Sequence, residues 1–137
     1  MRKKLCLLFV LIFIFSSVVP NSVFASNVMP RNNNTLSTNT IFTIFDDGDA
    51  AVAMHLEGYP GITTGATISI KIEKRNLLVF WKDIVEETII VNDYYYFDEL
   101  HYQLEKTGTY RCTVTYTVYG TGGEADVITS ELTDTYK

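Results

Sequence analysis

The chain has 137 residues, with 11 Lys plus Arg, 16 Asp plus Glu and 2 Cys. That length allows one small domain with one core and is too short for two once a leader is set aside. The acidic balance makes nucleic acid and anionic lipid poor partners, because both need clustered cations.

Arg2, Lys3 and Lys4 precede an unbroken apolar run from Leu5 to Phe15. Pro20 and Asn21 end the run, and Val23-Phe24-Ala25 offers small or moderate side chains before a cleavage point. A membrane span needs roughly 20 apolar residues, which this run does not reach. The pattern predicts a signal peptide over 1–25, cleavage after Ala25, and a secreted, extracellular product with no membrane attachment thereafter. Ser26 rather than Cys follows the cut, so no lipid anchor is expected. Removing Arg2, Lys3 and Lys4 leaves 8 Lys plus Arg against 16 Asp plus Glu, a formal charge of −8. Cys6 goes with the leader, so Cys112 has no partner and no intramolecular disulfide is possible.

Residues 26–39, SNVMPRNNNTLSTN, are polar and carry no apolar period. They read as a flexible segment ahead of a domain spanning 40–137. Asn33-Asn34-Thr35 matches a glycosylation sequon, which matters only in a eukaryotic secretory route.

From Thr40 onward the period is two. Val52, Met54 and Leu56 alternate with polar or small residues, as do Ile68, Ile70 and Ile72. Tyr110, Cys112, Val114, Tyr116 and Val118 form a third series. Such alternation puts apolar groups on one face of a half-buried strand. Turn signals separate the runs at Asp46–Asp49, Gly58–Gly61, Gly65, Thr107-Gly108 and Gly120–Gly123. The expected strands are roughly 40–45, 50–57, 66–75, 78–85, 87–92, 95–104, 108–119 and 124–133. Seven or eight short strands with polar outer faces predict an all-β, antiparallel two-sheet sandwich; a closed barrel is the alternative.

The segment Leu100–Cys112 is the sharpest local pattern. Apolar alternation ends at Leu104, a polar turn with Gly108 follows, and Tyr110 opens a long strand two residues before Cys112. This resembles the E–F corner of immunoglobulin-like sandwiches. There a tyrosine fills core volume with its ring and returns its hydroxyl to the backbone upstream. By that resemblance Tyr110 is the corner tyrosine and Cys112 takes the strand-F cysteine position. The candidate strand B, 51–57, has no Cys, and Met54 or Leu56 would fill the space. Trp81 falls late, on a fourth strand, and reads as a core residue. The chain also resembles small secreted proteins of Gram-positive bacteria that carry one Ig-like sandwich and no assigned activity. Met29-Pro30-Arg31 in a polar start and Gly108-Thr109-Tyr110-Arg111 much later carry that resemblance. It implies a fold and a location, not a chemistry.

Candidate sites are sparse. A zinc site needs three or four converging ligands, and His55 and His101, the only histidines, each have only local carboxylates. Asp46-Asp47-Gly48-Asp49 supplies hard oxygens suited to calcium, but lacks the spacing of an EF-hand and is equally what a tight turn uses. No Gly-x-Ser-x-Gly is present, and Cys112 alternates in phase with core residues, as a small buried hydrophobe does. No catalytic residue, metal ligand or cofactor is therefore assigned. Thr109, Thr113, Thr115 and Thr117 suit a solvated strand face. Tyr94-Tyr95-Tyr96-Phe97 remains: at period two, a strand must turn part of this run away from any one core face. Exposed tyrosines give rigid, amphipathic contact area. The expected function is a non-catalytic extracellular interaction module, bound to an unknown protein or glycan. The alternatives are a glycan-binding module using these rings, and a minor enzyme or enzyme inhibitor.

Overall fold

Seven antiparallel strands build the fold in a computed structural model that describes residues 32–77 and 79–137. The expected leader and the Met29-Pro30-Arg31 motif lie outside the described residues. The strands are β1 (Thr35–Ile44), β2 (Asp49–Gly58), β3 (Thr63–Asn76), β4 (Phe80–Val91), β5 (Tyr95–Gln103), β6 (Gly108–Gly120) and β7 (Asp126–Tyr136). One sheet runs in the order β1-β2-β5 and the other in the order β4-β3-β6-β7. The result is the expected sandwich without a disulfide, and its two separate sheets exclude the closed barrel.

The period-two series form the core. Val52, Met54 and Leu56 of the three-stranded sheet face Ile68, Ile70, Ile72, Cys112, Val114, Tyr116 and Val118 of the other, all with no exposed surface. Burying a side chain of this size stabilises by about 1.5–3 kcal/mol, so the alternation itself selects these faces. Tyr116 crosses between the sheets: its hydroxyl donates to the Asn39 carbonyl at 3.0 Å and meets the Thr40 hydroxyl at 2.7 Å.

Three expectations are corrected. Strand β1 begins at Thr35 rather than 40, so the end of the segment read as flexible is ordered strand. The two strands expected at 78–85 and 87–92 are one, because Glu86 and Glu87 lie on an edge strand that faces water along most of its length. Trp81, read as core, sits half-buried on the outer face of the four-stranded sheet. The cause is a bulge: Ile72 pairs with Val85 but Glu73 pairs with Asp83, so Ile84 is an extra residue. One inserted residue exchanges the two faces of everything beyond it. Trp81 then stands opposite Arg75, and the Arg111 guanidinium lies 4.3 Å from its ring centre. Arg111 is held in turn by the buried Glu73, whose Oε2 takes Nη2 at 2.7 Å and Nε at 2.9 Å.

The seam between β1 and β7 is closed by carboxylates. Asp126, at the start of β7, accepts the Asn33 and Asn34 amides at 3.0 and 2.8 Å. Asp134, near its end, accepts the Ile44 amide at 2.8 Å. The fully buried Asn34 extends the join. Its amide donates to the Glu124 carbonyl at 2.9 Å and accepts from the Gly122 N–H at 3.1 Å, and its own carbonyl accepts from Thr63. An edge strand leaves a row of unpaired backbone groups, and here side chains of the opposite sheet satisfy several of them.

Cys112 has no exposed surface, and burial pushes its thiol up to about 12. The thiolate is the reactive form, so modification of the native protein is expected to be slow and to track unfolding. Thiol-reagent labelling, run with and without urea, checks this. Labelling of the native protein at the rate of a free thiol would contradict the burial.

Candidate functional site

Strand β5 divides Tyr95, Tyr96 and Phe97 as period two requires. Tyr96 points inward, half-buried against the core, and Tyr95 and Phe97 point outward, 50% and 65% exposed. Tyr94 precedes the strand, and its carbonyl receives the Gly58 amide at 2.7 Å, which fixes the entry into β5.

The outer face of the three-stranded sheet is therefore the aromatic surface. Register sets its rows: Asn39, His55 and Phe97 in one, and Ile41, Ala53 and Glu99 in the next. His55 meets Tyr95 edge-on, with ring centres 5.5 Å apart and planes at 74°. Ile41 is 55% exposed, and Ala53 between it and Glu99 leaves the central strand low. Tyr95 and Phe97 are two residues apart on one face, about 6.6 Å at ~3.3 Å rise per residue.

The other end of the same face is ionic. His101 Nδ1 lies 2.7 Å from Asp49 Oδ2 and its Nε2 lies 3.0 Å from Glu99 Oε1. The hydrogen bond with Asp49, with Glu99 adding to it, raises the imidazole above its ordinary value and favours the imidazolium. Among the described residues its side-chain partners are these two carboxylates. Asp46–Asp49 forms the β1–β2 turn: Gly48 sits at φ 84°, Gly48 N–H reaches the Phe45 carbonyl at 3.0 Å, and the Asp47 carboxylate takes the Asp49 amide at 3.1 Å. The Asp47 carboxylate thus serves the turn and that of Asp49 serves His101. Among the described residues no three His, Cys, Asp or Glu side chains group as metal ligands.

On the inner side Tyr102 donates to Glu87 at 2.7 Å and Tyr96 to Asp98 at 3.2 Å. Burial first, then the neighbouring carboxylate charges, push Tyr96 up to about 12, so its hydroxyl stays a neutral donor. The threonine face of β6 lies on the other sheet, where Thr115 and Thr129 hydroxyls meet at 3.1 Å and Thr109 and Thr135 at 3.5 Å. Part of its hydrogen-bonding capacity is spent within the sheet.

Tyr110 is 2% exposed and its hydroxyl donates to the Lys106 carbonyl at 2.5 Å, across the turn between β5 and β6. Tyr110 and Cys112 are thus both core residues, and neither lies on the aromatic surface. Comparison with family models, with curated proteins and with solved structures finds no match to this chain.

Proposed function

We propose that this chain is a secreted, non-catalytic immunoglobulin-like module that acts by extracellular contact, using the outer face of its three-stranded sheet. The residues at 1–25 support export. The Ig-like assignment is supported by the tyrosine at the β5–β6 turn and by strand order. Strands β1, β2 and β5 take positions A, B and E, and β3, β6 and β7 take C, F and G. Strand β4 then lies beside C, where variable-type domains place C′.

The single observation that carries the binding reading is the exposed pair Tyr95 and Phe97 on an open sheet face. Aromatic side chains bring large contact area at little cost in conformational entropy, and exposed rings suit the apolar faces of sugars. A glycan is therefore the ligand class favoured. Sedimentation with a polysaccharide or cell-wall preparation is the test. Tyr95→Ala and Phe97→Ala are expected to weaken binding by about 1–3 kcal/mol. Being exposed, each should shift the urea midpoint by no more than about 0.5 kcal/mol equivalent. Tyr96→Ala, which empties a half-buried site, is expected to cost about 1–3 kcal/mol of stability instead. Unchanged sedimentation of the Tyr95 and Phe97 variants would remove this face from the function.

A further inference from the structure

The end of the sandwich opposite Tyr94–Phe97 carries the β3–β4 hairpin, with the sequence Arg75-Asn76-Leu77-Leu78-Val79-Phe80-Trp81-Lys82. Pairing of β3 with β6 stops at Lys74, opposite Tyr110, while its pairing with β4 continues to Asn76 opposite Phe80. Strands β6 and β7 continue two residues further, to Gly108 opposite Tyr136, so the hairpin passes the end of its sheet by its turn alone. Its apolar side chains stand in water: Leu77 is 86% exposed, Val79 74% and Phe80 66%. Leu77 also holds φ at 47°, a left-handed position that glycine or asparagine fills at lower cost. Turn chemistry alone does not select leucine there.

Cations stand behind this tip. Lys74 and Lys82 are direct cross-strand partners, an arrangement that destabilises a sheet. Together with Lys106 they line a cleft of about 530 Å³ at the base of the hairpin. Among the described residues none of these three lysines, nor Arg75, has a carboxylate within ion-pair distance. Lys71 and Arg111, on the outer face of the same sheet, are paired. Asp83 on the cleft wall is taken by Lys71 at 3.0 Å, which leaves Glu105 as the one acid against three lysines.

We propose that the β3–β4 hairpin docks on an anionic lipid bilayer. Leu77, Val79 and Phe80 enter the boundary between headgroups and acyl chains, and Lys74, Arg75, Lys82 and Lys106 meet the lipid phosphates around them. Exposed apolar side chains on a turn suit shallow insertion at the bilayer interface, and basic residues beside them add electrostatic attraction to anionic lipid. The cations without carboxylate partners favour the anionic surface over a neutral one. The net negative charge that argues against lipid is an average over the chain. Acids more than a Debye length away, about 8–10 Å at ordinary salt, are screened from the tip. This surface is separate from the aromatic face and goes beyond the function proposed for it.

Trp81 is the only tryptophan, so its emission reports on the hairpin alone. The chain from Ser26 onward, the expected exported form, is mixed with phosphatidylcholine vesicles, with and without about 30% phosphatidylglycerol, and both sedimentation and Trp81 emission are followed. Expected are sedimentation with the anionic vesicles, a blue shift of the emission, and weakening between ~50 and ~500 mM salt. Leu77→Asp with Val79→Asp should abolish the shift while leaving the urea melt unchanged, since both side chains are exposed. Lys74→Glu with Lys82→Glu should weaken binding roughly tenfold or more. The proposal is overturned if the emission does not move on anionic vesicles, or if parent and both double variants sediment alike. A tip that binds a protein and no vesicle would overturn it as well.

Discussion

Tyr110→Ala is expected to cost about 3–5 kcal/mol of stability, and Tyr110→Phe about 1–2 kcal/mol. The ring is packed in the core at 2% exposure, so Ala leaves a cavity that the rigid sandwich cannot fill. The hydroxyl is a separate contribution. It satisfies the Lys106 carbonyl at 2.5 Å and so pins the turn that carries the chain from the three-stranded sheet to the four-stranded one. Phe keeps the ring and loses only that bond. The two substitutions therefore separate packing from hydrogen bonding at one position. Urea melts at neutral pH measure both, and a Phe variant as stable as the parent would show that the turn holds without the bond.

Asp126→Ala is expected to cost about 1–3 kcal/mol, because it strips the acceptor from the buried Asn34 amide and from the part-buried amide of Asn33. Asp126→Asn should fall between parent and Ala, since its amide offers one acceptor oxygen where the carboxylate offers two. Acid should produce part of the same effect. Burial alone would raise this carboxyl, but the backbone amides of Asn33 and Asn34 outweigh it and hold it below the ordinary value. A depressed carboxyl contributes its stability fully above the unfolded value, near 3.9, and loses it as pH falls through the folded value. The gap between parent and Asp126→Asn should therefore be constant above about pH 5 and narrow below about pH 4. A gap that widens in acid would contradict the assignment.

What the sequence made legible follows from periodicity. Ile68–Ile72, Val52–Leu56 and Tyr110–Val118 alternate cleanly, and each lies where its phase puts it, because burial rewards one face only. The split of Tyr95–Phe97 into outward and inward rings follows from the same rule, whereas Tyr94 lies before the strand and is exposed. Trp81 was illegible for a definite reason: the bulge at Ile84 inverts the phase, and a bulge is a property of pairing with a neighbour rather than of composition. The exposure of Leu77, Val79 and Phe80 was hidden likewise. Their apolar run reads as the start of a strand, and only Asn76 hints at a turn. Asp126 and Asp134 look like ordinary strand-end acids. Their partners are about ninety residues away, and no local pattern encodes a contact of that span.

That span bears on the order in which the molecule can be completed. The amides of Asn33, Asn34 and Ile44 meet carboxylates 93, 92 and 90 positions downstream. A chain emerging from a ribosome or threading a pore makes residue 34 early and residue 134 late. Until the later stretch is free, β1 can pair with β2 on one side only, and its other side stays wet. Contacts of long sequence separation also slow the search for the native state. The fold thus carries its own delay: a growing or translocating chain stays open along this flank until β7 has arrived to shut it.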